Sequence, residues 1–126
     1  MVNAAQTSRM LRGFLLLEAG LLSAASMVHS GLLLRGHAHG AARMAEGVIA
    51  AVLLAAWALS FVMHGRTRKL ALLAQSFALI GTLVGLFTIV IGIGPQSAPD
   101  LVLHFALVAL LLAGLYFARR ARGVFA

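Results

Sequence analysis

Residues 70–93 read LALLAQSFALIGTLVGLFTIVIGI, a run of 24 residues without Asp, Glu, Lys, Arg or His. As an α-helix the run would be about 36 Å long, because each residue adds about 1.5 Å. The hydrocarbon core of a bilayer is about 30 Å thick. The run therefore predicts a transmembrane helix.

Three more runs of this kind occupy residues 13–34, 41–63 and 98–118. The connections between the four runs are short and comprise residues 35–40, 64–69 and 94–97. Short connections make neighbouring helices antiparallel. We therefore predict a single all-α domain over residues 1–126, an integral membrane four-helix antiparallel bundle with four transmembrane helices.

The composition supports this prediction. Apolar residues make up 62% of the 126 residues and charged residues only 10%, whereas a typical soluble domain is about 25% charged. The mean hydropathy is +1.02. We therefore expect a lipid bilayer as the surrounding partner. The absence of cysteine from the sequence excludes disulfides, thiolate metal sites, Fe–S clusters and c-type haem attachment.

The first apolar run has an alternative interpretation as a cleaved signal peptide. Arg9 and Arg12 precede it, and Ala24, Ala25 and Ser26 provide small residues. The run is longer than the usual signal core of about 7–15 residues and it contains a glutamate. A transmembrane helix is the better interpretation.

The basic residues predict the orientation in the membrane. Two of them, Arg35 and Arg43, would lie outside. The other eight would lie in the cytoplasm with both termini, and are Arg9, Arg12, Arg66, Arg68, Lys69, Arg119, Arg120 and Arg122. The preference for Arg over Lys, with abundant Ala, Gly and Leu, favours a bacterial inner membrane. Because the positive charges flank apolar runs, no nucleic-acid partner is expected.

Two patterns concern helix packing and helix ends. Small residues share one face of the third helix, at Gly81, Gly85, Thr88 and Gly92, and would let another helix approach closely. That helix belongs either to the same bundle or to a homo-oligomer. The stretch 97–100, Ser-Ala-Pro-Asp, has the pattern of a capping box with proline in the first turn, so a helix should start there.

Four ionisable residues inside the apolar runs are candidates for function, because such groups are costly in lipid. They are Glu18, His29, Glu46 and His104. The last three lie on different helices at a similar depth, about 7–9 Å below the outer surface at 1.5 Å per residue. The sequence therefore predicts a polar cluster in the outer half of the bundle.

This cluster predicts a cofactor site of one of two kinds. A transition metal would take its ligands from His29, Glu46, His104, His37, His39 and Asp100, with Met27 and Met44 favouring Cu(I). A b-type haem would instead lie between His29 and His104, with Arg35 and Arg43 near its propionates.

Each residue of the cluster also has a structural interpretation. Asp100 can cap the fourth helix, and Glu46 can pair with Arg43. His29 and His104 can satisfy one another or a backbone carbonyl. The two loop histidines, which follow the first helix, can simply be solvated.

Glu18 lies apart from the cluster, in the inner half of the first helix. A carboxyl group there can take up and release protons in a transporter, or it can pair with Arg12 or another cytoplasmic arginine. Three functions therefore stay open: metal or haem binding in an accessory or electron-transfer role, proton-coupled transport of a small solute through Glu18, and a structural or assembly role in a larger membrane complex. An enzyme is not expected, since no catalytic or nucleotide-binding motif is found in the sequence.

Overall fold

The computed structural model describes residues 3–124. These residues form four long helices: α1 (Ala4–His29), α2 (Gly40–Val62), α3 (Thr67–Val90) and α4 (Ala98–Arg120). Short 3-10 helices precede α3 and follow α4, at His64–Arg66 and Ala121–Val124. Each of the four long helices is apolar and long enough to cross a membrane. The described part of the chain contains no strand, so the predicted all-α class is confirmed.

Side-chain contacts between helices show that successive helices run antiparallel. Near the start of α1, Arg12 contacts Ser60 near the end of α2. At the end of α1, His29 contacts Glu46 and Asp100, which lie near the starts of α2 and α4. We call the end with the connections 30–39 and 91–97 the distal end, and the end with both chain termini and the α2–α3 connection the terminal end.

The core of the bundle consists of leucines interleaved with small alanines. The fully buried leucines come from α1, α2 and α4, and are Leu11, Leu15, Leu22, Leu53, Leu107 and Leu111. Alanines of α3, among them Ala71 and Ala78, pack against them. Large apolar side chains also cover the outer surface, such as Val62 at 80% exposure and Val90 at 74%. That outer surface is consistent with contact with a lipid bilayer.

The ends of α1 differ from the predicted bounds of 13–34. The helix begins at Ala4 because the Asn3 side chain accepts a hydrogen bond from the Gln6 backbone N–H at 2.8 Å. It ends at His29, and Gly31 follows with φ +78°, a conformation that stops a helix. Apolar character continues past this stop, which is why hydropathy alone misplaced it. Likewise α3 spans Thr67–Val90 instead of 70–93.

The capping box predicted at the start of α4 is confirmed. The Ser97 hydroxyl accepts from the Asp100 backbone N–H at 3.3 Å, and the Asp100 carboxylate accepts from the Ser97 N–H at 3.3 Å. Pro99 lies in the first turn, where no backbone donor is needed. The capping box therefore fixes the position of Asp100 in the first turn of α4.

Ser97→Ala tests the cap. We expect it to lower the free energy of unfolding by about 1 kcal/mol, since the helix loses the acceptor for a first-turn N–H. Unfolding of the detergent-solubilised protein by SDS titration measures the change. Ser76→Ala is the matched control, because Ser76 is exposed in the middle of α3. Equal effects of the two substitutions would contradict the capping role.

Candidate functional site

Three helices bring a histidine and two carboxylates together at the distal end. The His29 Nδ1 lies 2.7 Å from Glu46 Oε2, and the His29 Nε2 lies 2.9 Å from Asp100 Oδ1. All three side chains are buried. Glu46 thus pairs with His29, and the predicted pairing with Arg43 is wrong. We call His29, Glu46 and Asp100 the distal triad.

The two contacts of the distal triad fix its total charge. Each contact needs one proton, because carboxylate oxygens only accept. The two protons lie either both on His29, between two carboxylates, or one on His29 and one on a carboxyl group. The net charge is −1 in both cases. Within residues 3–124, His29 is the only basic residue within ion-pair distance of a carboxylate.

Asp100 connects the triad to a second histidine. Its other carboxylate oxygen accepts from the Ser97 hydroxyl, and its backbone carbonyl accepts from His104 Nδ1 at 2.8 Å. A carbonyl can only accept, so the His104 proton sits on Nδ1 and the lone pair of the neutral ring is on Nε2. A Cβ at Gly85 would lie 2.7 Å from that Nε2, so only glycine lets α3 come this close to the ring.

A cavity of about 210 Å³ lies beside the triad, between α2, α3 and α4. Glu46 and His104 line it. Glu46 Oε1 and His104 Nε2 make no hydrogen bond with any other described residue. The rest of the wall is mainly apolar and includes Ala41, Ala45, Ile49, Val84, Ile93 and Pro95. We call this space the distal cavity.

The two loop histidines differ in their roles. His39 caps α2 by accepting from the Ala42 N–H at 3.2 Å, and its Nε2 donates to the Ile93 carbonyl at 3.3 Å. His39 therefore joins the two distal connections and has no free nitrogen. His37 is half-buried and makes no hydrogen bond with the described part of the chain. Neither histidine makes a hydrogen bond or an ion pair with the distal triad.

The predicted metal site is not formed. It was expected to use His29, Glu46, His104, His37, His39 and Asp100. No three His, Asp or Glu side chains in the described ranges are placed to hold a metal ion. Both nitrogens of His29 already face carboxylates, which leaves no lone pair for a metal. Met27 and Met44 are 49% and 62% exposed on the outer surface, so they do not join the cluster.

The predicted haem site is not supported either. A haem between His29 and His104 needs one free nitrogen on each ring, and His29 has none. Arg35 and Arg43, expected near the propionates, are exposed. The sequence favoured haem ligation by His29 because a histidine in an apolar helix is a common haem ligand. Such a histidine can instead form buried hydrogen bonds with carboxylates, as His29 does.

A second polar contact lies in the middle of the bundle. Glu18 and Gln75 are both 0% exposed, and the Gln75 amide donates to the two Glu18 oxygens at 3.0 and 3.2 Å. The Gln75 Oε1 has no partner in residues 3–124. The predicted pairing of Glu18 with Arg12 is wrong, because Arg12 donates to the Ser60 hydroxyl and carbonyl. The only sequence signal for Gln75 was its position as the one amide within 70–93.

An apolar layer separates Glu18 from the distal triad. Eleven residues along α1 correspond to about 16 Å at 1.5 Å per residue. Leu22 and Ala25 lie between them on the buried face of α1, and Leu107 of α4 is buried as well. The described residues therefore form no continuous polar path between the two sites.

The small residues of α3 face two different helices. A Cβ at Gly81 would meet the Ile49 side chain of α2 at 2.5 Å, whereas Gly85 faces α4. Thr88 donates to the Gly85 carbonyl at 2.7 Å and lines the distal cavity. Gly92 lies beyond the end of α3, with φ +83°. These contacts are within the bundle, and a homo-oligomer interface stays a prediction.

Comparison with known protein families, with curated proteins and with solved structures finds no match to this chain. Function has therefore to be inferred from the chemistry of the site itself. The distal cavity is where unpaired polar atoms and apolar surface occur together, as they do in ligand sites.

Proposed function

We propose that this chain is a multi-pass protein of a bacterial inner membrane that binds a small apolar molecule through an O–H or N–H group of that molecule. The distal cavity is the binding site. The observation that carries the proposal is that Glu46 and His104 line a mainly apolar cavity and that each has an unpartnered atom, Glu46 Oε1 and His104 Nε2. Pockets of this composition orient a ligand by a few polar contacts.

The membrane placement has two supports. Four helices are long and apolar enough to span. Eight of the ten basic residues lie at the terminal end or in its connection, which favours a cytoplasmic location for both termini. The distal cavity would then face the periplasmic half of the membrane.

The polar atoms favour a ligand that donates a hydrogen bond. When the His104 ring is neutral, its proton on Nδ1 leaves Nε2 as a hydrogen-bond acceptor. Glu46 Oε1 accepts in both proton arrangements of the triad, since the Glu46–His29 contact runs through Oε2. The net charge of −1 on the neighbouring triad further favours a donor over an acceptor. An alcohol, a phenol or an amine has the matching chemistry.

The walls favour a small molecule that dissolves in lipid. A volume of about 210 Å³ suits one ring with a short substituent. Ala41, Ala45 and Val84 line the cavity and are also exposed on the outer surface. The cavity therefore opens sideways between α2 and α3, where a bilayer would lie.

A pair of probes that differ in one donor tests the proposal. We expect 4-propylphenol to bind the detergent-solubilised protein at least about tenfold more tightly than 4-propylanisole. The two have similar shapes, but only the phenol donates, and a hydrogen bond to a charged acceptor is worth about 1.5–3 kcal/mol. Isothermal titration calorimetry measures both affinities.

Ala45→Leu provides the site control. Its larger side chain would fill part of the cavity and should weaken phenol binding, while Ser76→Ala on exposed α3 surface should not. Equal affinity for the phenol and the ether, or phenol binding unaffected by Ala45→Leu, would contradict the proposal.

The other functions expected from the sequence receive less support. Proton-coupled transport through Glu18 is favoured by the complete burial of that residue, but the apolar layer around Leu22 separates it from the distal end. A role in a larger complex or a homo-oligomer rests on no described feature and stays a prediction. Metal and haem binding lack free ligands at His29.

A further inference from the structure

The terminal end carries positive charge that no carboxylate side chain within residues 3–124 neutralises. Three acids are present in the sequence, at Glu18, Glu46 and Asp100. All three are buried and bonded to other partners. No Arg or Lys within residues 3–124 lies within ion-pair distance of a carboxylate. The described residues therefore provide no carboxylate side chain to neutralise the basic residues of the terminal end.

Part of this charge lines an open pocket between the start of α1 and the α2–α3 connection. The pocket has a volume of about 420 Å³. Its polar wall consists of Ser8, Arg9, Arg12 and His64, and Gly65 adds backbone. We call these five residues the terminal pocket. Arg12 follows Ser8 by four residues and Arg9 by three, so it neighbours both along the surface of α1.

Arg12 is held in place before any ligand arrives. Its Nε donates to the Ser60 hydroxyl at 2.8 Å, and its Nη2 donates to the Ser60 carbonyl at 2.7 Å. The guanidinium also lies 4.1 Å from the centre of the Phe61 ring. A guanidinium has five N–H donors, and Ser60 uses two of them, which leaves three. These remaining donors have no partner among the described residues.

We propose that the terminal pocket binds the phosphate group of an anionic phospholipid. The planar donors of arginine match the oxygens of a phosphate, and a fixed arginine loses little freedom on binding. Arg9 and His64 are exposed at the rim and add donors. The Ser8 hydroxyl makes no hydrogen bond with the described part of the chain and can donate to the same oxygens.

The neighbouring surface favours a lipid as the source of the phosphate. Phe61, against which the Arg12 guanidinium lies, and its chain neighbour Val62 are 45% and 80% exposed at the end of α2. They offer apolar contact for acyl chains, which a free phosphate ion does not have. The inference shares the membrane placement with the proposed function, but it does not depend on the distal cavity.

Native mass spectrometry of the detergent-solubilised full chain tests the inference. We expect phosphatidylglycerol to bind at least about tenfold more tightly than phosphatidylcholine, because the zwitterionic headgroup brings its own cation. Inorganic phosphate at millimolar concentration should not displace phosphatidylglycerol. Displacement by inorganic phosphate would show that the pocket binds the free ion, and it would contradict the proposal that the phosphate group belongs to a lipid.

Arg9→Gln and Arg122→Gln form a matched pair of variants. Each removes one exposed charge at the terminal end, but only Arg9 lines the terminal pocket. We expect Arg9→Gln to weaken phosphatidylglycerol binding about tenfold and Arg122→Gln to change it by less than about twofold. Equal losses of phosphatidylglycerol affinity in the two variants would indicate a general effect of positive charge and would contradict a specific site at the terminal pocket. Phenol binding in the same preparation should be unchanged, which keeps this test separate from that of the distal cavity.

Discussion

His29→Ala is expected to lower the free energy of unfolding by about 3–5 kcal/mol, the largest effect of any single substitution considered for this protein. His29 is the shared hydrogen-bond partner of both buried acids, Glu46 and Asp100. Without the ring, two buried carboxylates lose their shared partner, and both keep the cost of leaving water. SDS titration of the protein in detergent micelles, followed by circular dichroism, measures the change.

His37→Ala is the matched control for this prediction. His37 belongs to the same distal end but makes no hydrogen bond with the described residues, so its removal should change the unfolding free energy by less than about 0.5 kcal/mol. Adding Glu46→Gln and Asp100→Asn to His29→Ala should restore at least about 2 kcal/mol of the lost free energy of unfolding, since neutral amides need no counter-ion. A loss in His29→Ala no larger than that in His37→Ala would show that the triad does not stabilise the fold.

Gly114→Ala is expected to be destabilising by about 1–3 kcal/mol. A Cβ at this position of α4 would overlap the Gln75 amide and lie 2.8 Å from Glu18 Oε1. The buried hydrogen bonds between Gln75 and Glu18 would have to lengthen or break. The same SDS titration reports the change, and the sign is informative because Gly→Ala within a helix normally stabilises by about 0.5–1 kcal/mol.

Gly20→Ala supplies that comparison. Gly20 lies inside α1, and a Cβ there would meet no atom within 4 Å, so the substitution should stabilise. Gly114→Ala should also no longer lower the free energy of unfolding when Gln75 is replaced by alanine, because the overlapping amide is then absent. If Gly114→Ala stabilised the protein as much as Gly20→Ala does, the close approach of α4 to Gln75 would be ruled out.

Much of the fold could be predicted because it depends on chain length and apolar runs. The start of α4 was placed correctly since Ser97 and Asp100 act locally, within one turn. The end of α1 was not, because Gly31 stops the helix inside a run that continues with three leucines. Hydropathy measures how strongly residues favour the bilayer over water, whereas the end of a helix depends on backbone dihedral angles.

For the candidate site, the sequence could predict only the depth of its residues in the bundle. Helical rise brings His29, Glu46 and His104 to one level, but rise says nothing about which way each side chain points. Packing turns Asp100 toward His29 and leaves His104 on the Asp100 carbonyl. Gln75 was missed because an uncharged polar residue in an apolar run gives little signal until its partner, Glu18, is known.

The order in which the triad's members are synthesised has a consequence for biogenesis. His29 and Glu46 belong to the first hairpin, whereas Asp100 follows His29 by 71 residues. While the ribosome is still making α3, His29 and Glu46 can already pair across the first hairpin. The second acid of the triad arrives only with the last helix, already held by its own cap.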